Sequence, residues 1–154
     1  HKHTVKFLLQ NNVRNDAFCS HLIYIGMACG VQNIMTAKSK KICKKSDEEL
    51  AQIRQKAERM ERIAKAGGDW ALADQEFHMA IIKASHNEYM RRLYPIINSA
   101  VNEIMQVSVN REHMQSIAIA DNYTILDFLM QRDEVGARHA MSIHIRHLLN
   151  TLKG

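Results

Sequence analysis

The residues best placed to do chemistry are Asp74 and His78, four positions apart. On a helix that spacing puts a carboxylate and an imidazole on one face, one turn apart. Such a pair can chelate a divalent ion, and imidazole suits zinc, nickel, copper and iron. Taken alone, the pattern more often makes a surface hydrogen bond. His144 falls between Ile143 and Ile145 in an apolar stretch near the C-terminus. A histidine there is either a core residue with its hydrogen bonds satisfied or a further ligand. His147 follows it at i+3 and can chelate with it, whereas His113 and His139 fall into no recognisable pattern. The C-terminal segment has no nucleophile, base and orienting group in a catalytic arrangement. No glycine-rich phosphate loop occurs either.

Residues this far apart must be held by rigid elements, and the composition says which kind. The 154 residues are 46% hydrophobic but only 6% aromatic, with nine Met, six Gly and a single proline, Pro95. A core of Leu, Ile, Met and Ala suits helix packing, and an all-β chain would need more turn residues. The expected fold is all-α.

Ser46 with Glu49 three residues later reads as a capping box that opens a helix. Leu50, Ile53, Ala57, Met60, Ile63 and Ala64 then recur at helical spacing until Gly67-Gly68. Asp69 caps a second helix that carries Asp74 and His78, and Ser85-His86-Asn87 breaks it, with Asn87 as the next cap. A third helix spans 88 to about 109 and should kink near its start at Pro95. A turn is expected at 110–112, a fourth helix over 113–130, and a turn at Gln131-Arg132-Asp133 with Asp133 as cap. The last helix, over 134–152, carries His144. Segments 3–9, 16–30 and 31–45 can each be helical but hold no known motif. Together these give an antiparallel bundle of six to seven helices, with 1–45 an atypical N-terminal segment and 46–154 the main domain.

Charge and cysteine content bound the setting. The net charge is +5, and part of it sits in Lys38, Lys40, Lys41, Lys44 and Lys45. That cluster is a nucleic-acid patch or, more commonly, a solvated helix face. Cys19, Cys29 and Cys43 are odd in number with no CxxC spacing, which suggests free thiols in a reducing cytoplasm. There is no run of eighteen apolar residues and no signal-peptide layout, so a cytoplasmic protein without a membrane span is expected. Met79, Met90, Met105, Met130 and Met141 read as core filler.

Three segments resemble one known family. Ala73-Asp-Gln-Glu-Phe-His78, followed by Met-Ala-Ile-Ile-Lys-Ala-Ser-His-Asn87, is similar to the Asp-x-x-Phe-His … Ala-Ser-x-Asn hallmark of the FCD class of GntR regulators. Thr124-Ile-Leu-Asp-Phe-Leu, then Arg132-Asp133, Ala137, Met141 and His144-Ile145, resembles the family's C-terminal pattern. Asp47-Glu-Glu-Leu-Ala-Gln-Ile resembles the opening of the family's second helix. Metal-binding members of the family hold an ion with one Asp and three His from three helices. The resemblance implies that Asp74, His78 and His144 occupy three of these places, with Asn122 in the fourth, where the family has His. A neutral amide is a poorer ligand for zinc or nickel than imidazole.

The resemblance implies a ligand-sensing and dimerisation domain of a bacterial transcription regulator, not an enzyme. Its cofactor would be a divalent metal, zinc or nickel, and its effector a small organic acid. Its partners would be a second copy of the chain and, through a winged-helix domain not evident here, DNA. The family's carboxylate-clamping Arg-x-x-Leu-Glu pattern is not found, since Arg14 is the only arginine before Arg54 and its surroundings do not match. Arg138 and Asn87 are then candidates for ligand contact, with Arg92 and Arg146 further sources of charge that otherwise read as surface residues. Residues 1–45 are short for a winged helix, so the chain is expected to be a sensor-bearing fragment or an atypical member. Two other readings stay open. One is a metal-dependent hydrolase, with Asp, His and His activating water. The other is a metal-free helical interaction module.

Overall fold

Apolar residues three and four apart should line one face of each helix, and in the computed structural model they do. It describes residues 40–106 and 111–151. Five helices follow one another there: α1 Lys40–Lys65, α2 Trp70–Ala84, α3 Glu88–Gln106, α4 Arg111–Met130 and α5 Glu134–Thr151. No strand occurs among the described residues, which are all-α as expected. The further helices expected in the N-terminal segment lie outside the described residues, as do Lys38, Cys19 and Cys29.

Two boundaries differ from the sequence reading. Helix α1 begins at Lys40, not Ser46, so the Ser46–Glu49 pattern lies inside a helix. The reason is local: 40–45 contains neither Gly nor Pro and is mostly Lys, a good helix former. Helix α4 takes in Arg111 and Glu112, which were expected in a turn. An acidic Glu112 in the first turn complements the positive end of the helix dipole.

The ends are specified by hydrogen bonds. After α1, Gly67 adopts φ 71°. Its N–H donates to Ala64 O (3.0 Å), and that of Gly68 to Ile63 O (2.9 Å). This is a Schellman closure, which favours glycine at the left-handed position. Asp69 caps α2 by accepting from the Leu72 N–H (3.3 Å). At the far end, the buried Ser85 hydroxyl donates to Ile82 O (2.6 Å) and accepts from the Asn87 N–H (3.2 Å). Asn87 Oδ1 then accepts from the Met90 N–H (3.1 Å) and caps α3. One helix is thus closed and the next opened within three residues. Helix α3 continues past Pro95, which supplies no N–H for the Arg91 carbonyl. Asp133 opens α5 by accepting from the Gly136 N–H (2.9 Å).

Helix α1 packs along α2 and α4, α4 along α5, and α2 along α3. Their buried faces form two main apolar clusters. One gathers Leu50, Ile53, Ala57, Phe77, Ile81, Ile125, Leu129, Met141 and their neighbours. The other holds Met60, Ala64, Trp70, Ala73, Met114 and Ala118. A smaller group, Ile82, Met90 and Tyr94, joins α3 to α2. Of the methionines read as core filler, Met90 and Met141 are buried, Met79 packs partly buried against the small group, and Met130 is 37% exposed. Met105 lies outside the side chains described.

Close approach of α4 and α5 depends on Gly136. A methyl group there would overlap the Phe128 ring and lie 2.6 Å from Asp133 Oδ2. Gly136→Ala is therefore expected to lower stability by about 1–3 kcal/mol through overpacking. Urea denaturation checks this, and an unchanged midpoint would mean that Phe128 moves aside freely.

Candidate functional site

The two apolar clusters are separated by a polar layer to which four helices contribute. On α1, Ala57 belongs to the first cluster and Met60 to the second. On α2, Asp74 and His78 interleave with Ala73 of the second and Phe77 of the first. On α4, Asn122 lies between Ala118 and Ile125, one from each. On α5, His144 lies between Met141 of the first cluster and Leu148, which packs on the second. His78, Asn122 and His144 are all buried.

Within this layer Asp74 is the hub. His78 Nε2 lies 3.5 Å from Asp74 Oδ2. The Asn122 amide donates to Asp74 Oδ1 (2.6 Å) and also contacts Met60 Sδ (3.2 Å). The rings of His78 and His144 lie 5.0 Å apart, centroid to centroid, tilted by 38°. Burial acts to raise the Asp74 carboxyl, but the charges of His78 and His144 and the hydrogen bonds from His78 and Asn122 outweigh it, holding the group below the usual carboxylate range. Asp74 is therefore ionised at neutral pH. Burial, and then the Asp74 charge, push the Tyr94 phenol above its ordinary value.

Two atoms in the layer have no partner: His78 Nδ1 and Asn122 Oδ1 are buried without a hydrogen bond. Each such group costs about 1–3 kcal/mol. The donor set suits a divalent ion in one respect. Two ligands on a tetrahedral zinc with bonds near 2.0–2.1 Å lie roughly 3.4 Å apart. The Asp74–His78 separation of 3.5 Å is long for a strong hydrogen bond but right for sharing an ion. Among the described residues, no three His, Cys, Asp or Glu side chains are already gathered around one point, so a third donor would need a side-chain rotation.

Behind His144 stands Asp121, which the sequence reading did not single out. Its Oδ2 lies 3.3 Å from His144 Nδ1 and 2.9 Å from His147 Nδ1, and its Oδ1 lies 3.2 Å from the same His147 nitrogen. Burial acts to raise this carboxyl as well, but hydrogen bonds from the two histidines hold it low. The i, i+3 spacing of His144 and His147 was the available signal, since two imidazoles on one face call for a common partner. Met60 was legible only as one more apolar position.

The remaining candidates are engaged elsewhere. Asn87 caps α3. Arg138 pairs with Glu134 one turn away on α5. Arg92, Arg146, His113 and His139 are exposed. No helix among the described residues is long and apolar enough to cross a membrane.

Comparison with known proteins agrees with this architecture. The FCD domain family matches residues 41–147. A protein of Escherichia coli K12 named as a regulatory protein of the L-lactate dehydrogenase operon is 31% identical over 85 residues, 53% of this chain and 33% of its own length. A protein of the same name from Shigella flexneri matches to the same extent. The chain thus spans about a third of the relatives it matches. No solved structure gives a significant match. The family and the relatives' names group the chain with transcription regulators and not with enzymes. The polar layer on its four helices and the match over most of the chain lead to one conclusion: the chain belongs to the FCD domain family, the effector-binding domains of GntR-type regulators.

Proposed function

We propose that this domain senses a small carboxylate-bearing metabolite at a divalent ion, zinc or nickel, held in the polar layer by Asp74, His78 and His144. The observation that carries the reading is the pair of buried, partnerless atoms, His78 Nδ1 and Asn122 Oδ1, beside an ionised Asp74. A layer left with such groups favours a polar occupant that satisfies them. The contacts described for Asp74, His78, Asn122 and His144 include no Lys or Arg. An acid entering here needs a positive anchor, which a divalent ion supplies.

The relatives' names point to L-lactate chemistry, so a 2-hydroxy acid is the effector class to test first. Its carboxylate would bind the ion, and its hydroxyl would donate to Asn122 Oδ1, which in this chain stands where the family has a ligating histidine. The occupant changes regulation only if it binds two arrangements of the domain with different affinity. A dimer of this domain, joined to a DNA-binding module elsewhere in a longer protein, would transmit that difference.

Purified protein is expected to carry zinc or nickel by elemental analysis, and His78→Ala to lower that content. Equal content in both would contradict the site. L-lactate is expected to raise the melting temperature of the metal-loaded protein and to lose that effect after chelation. A shift that survives chelation would remove the metal from the account. Asn122→His, which restores an imidazole donor, is expected to tighten zinc binding in a competition titration. Unchanged or weaker affinity would place Asn122 outside the ion's reach.

A further inference from the structure

A primary amide carries two N–H donors at one end and a carbonyl acceptor at the other, and its neighbours decide which end faces which way. The Asn122 side chain, on α4, is buried, and its nitrogen meets groups from two other helices. It donates to Asp74 Oδ1 on α2 at 2.6 Å and to Met60 Sδ on α1 at 3.2 Å. Neither a carboxylate nor a thioether has a hydrogen to give back. Turned over, the amide would set its oxygen against the lone pairs of both. One orientation is therefore enforced, and in it Oδ1 is buried with no partner.

Met60 contributes its sulfur here as well as its bulk. A leucine of similar size would fill the same place in the second apolar cluster but would offer the amide no acceptor. The amide nitrogen would then be held by Asp74 alone.

A fixed, bare acceptor selects by what an occupant can donate. A 2-hydroxy acid and the 2-oxo acid of the same carbon skeleton share their carboxylate and nearly their size, and each offers a second oxygen to an ion. They differ at that second oxygen. The hydroxyl can donate to Asn122 Oδ1, whereas the oxo group sets only lone pairs against it and leaves the buried acceptor unsatisfied.

We propose that Met60 is a positioning residue and Asn122 a specificity-determining one: the Met60 sulfur and Asp74 hold the amide with Oδ1 free, and that acceptor selects a 2-hydroxy acid over the 2-oxo acid of the same skeleton. The selection rests on the proposed effector reading of the layer, whereas the locked amide exists without any occupant.

Isothermal titration of the full, zinc-loaded chain with L-lactate and with pyruvate tests the selection. L-Lactate is expected to bind roughly 5–150-fold more tightly, the effect of pairing one buried acceptor or leaving it bare. Met60→Leu is expected to narrow that ratio, chiefly by weakening L-lactate. A merely structural loss would weaken both acids alike and leave the ratio unchanged. Hydrogen exchange in the metal-free chain reports the lock by itself. Both side-chain N–H protons of Asn122 are expected to be protected in the wild type, and one to lose protection in Met60→Leu.

Equal affinity for the two acids, or a preference for pyruvate, would overturn the proposal even if the variant fails to fold. So would a Met60→Leu protein that keeps the wild-type ratio. Unprotected Asn122 side-chain protons in the wild type would remove the lock. If neither acid binds, the selection falls together with the effector reading, and the exchange data alone decide the lock. If L-lactate keeps its advantage after zinc is chelated away, the selection stands and the metal-centred reading fails.

Discussion

A carboxylate placed among packed helices has to be compensated, and much of this domain's interior is arranged around that requirement at Asp74. Burying an uncompensated ion costs several kcal/mol even after relaxation. The chain meets the cost from three directions: His78 one turn along α2, Asn122 from α4 and the charge of His144 from α5. These partners can reach Asp74 only if α2, α4 and α5 are in register, with α1 closing the layer through Met60. The polar layer is therefore a registry constraint as well as a candidate site, and the apolar clusters on either side hold it in place.

The compensation is incomplete, since His78 Nδ1 and Asn122 Oδ1 are buried without a hydrogen-bond partner. At about 1–3 kcal/mol for each unsatisfied group, the bare atoms of His78 and Asn122 represent a sizeable part of a domain's net stability of about 5–15 kcal/mol. An occupant that satisfies them adds its binding energy to folding. Asn122 gives this chain a particular character. It spends its amide N–H on Asp74 and turns a bare carbonyl oxygen to the interior, whereas an imidazole in the same place would offer a ligating nitrogen. An acceptor in that position favours a hydroxyl-bearing occupant.

Much of this was legible in the residue order. Gly67-Gly68, Asp69, the Ser85-His86-Asn87 break and Asp133 each mark a helix end by a local hydrogen bond, and the structure forms those bonds where the residue types require them. Asp74 and His78 were legible from spacing, but Asn122 and His144 only through family resemblance, because nothing local ties residues 48 or 66 positions away to that pair. Asp121 was missed because its role depends on two histidines from another helix. Met60 was hidden for a different reason: a thioether at a core position has the same periodicity whether or not it faces a polar group. The start of α1 was misplaced because a good capping pattern at Ser46 competes with a helix-forming run before it, and the longer helix wins.

An ion held within the layer by Asp74, His78 and His144 would have two imidazoles among its ligands. X-ray absorption on the zinc-loaded protein tests this most directly, because the fine structure separates imidazole scattering from that of water and carboxylate oxygens. Two imidazole nitrogens are expected in a shell of nitrogen and oxygen donors at about 2.0–2.2 Å. A shell of oxygens alone, without imidazole scattering, would contradict it.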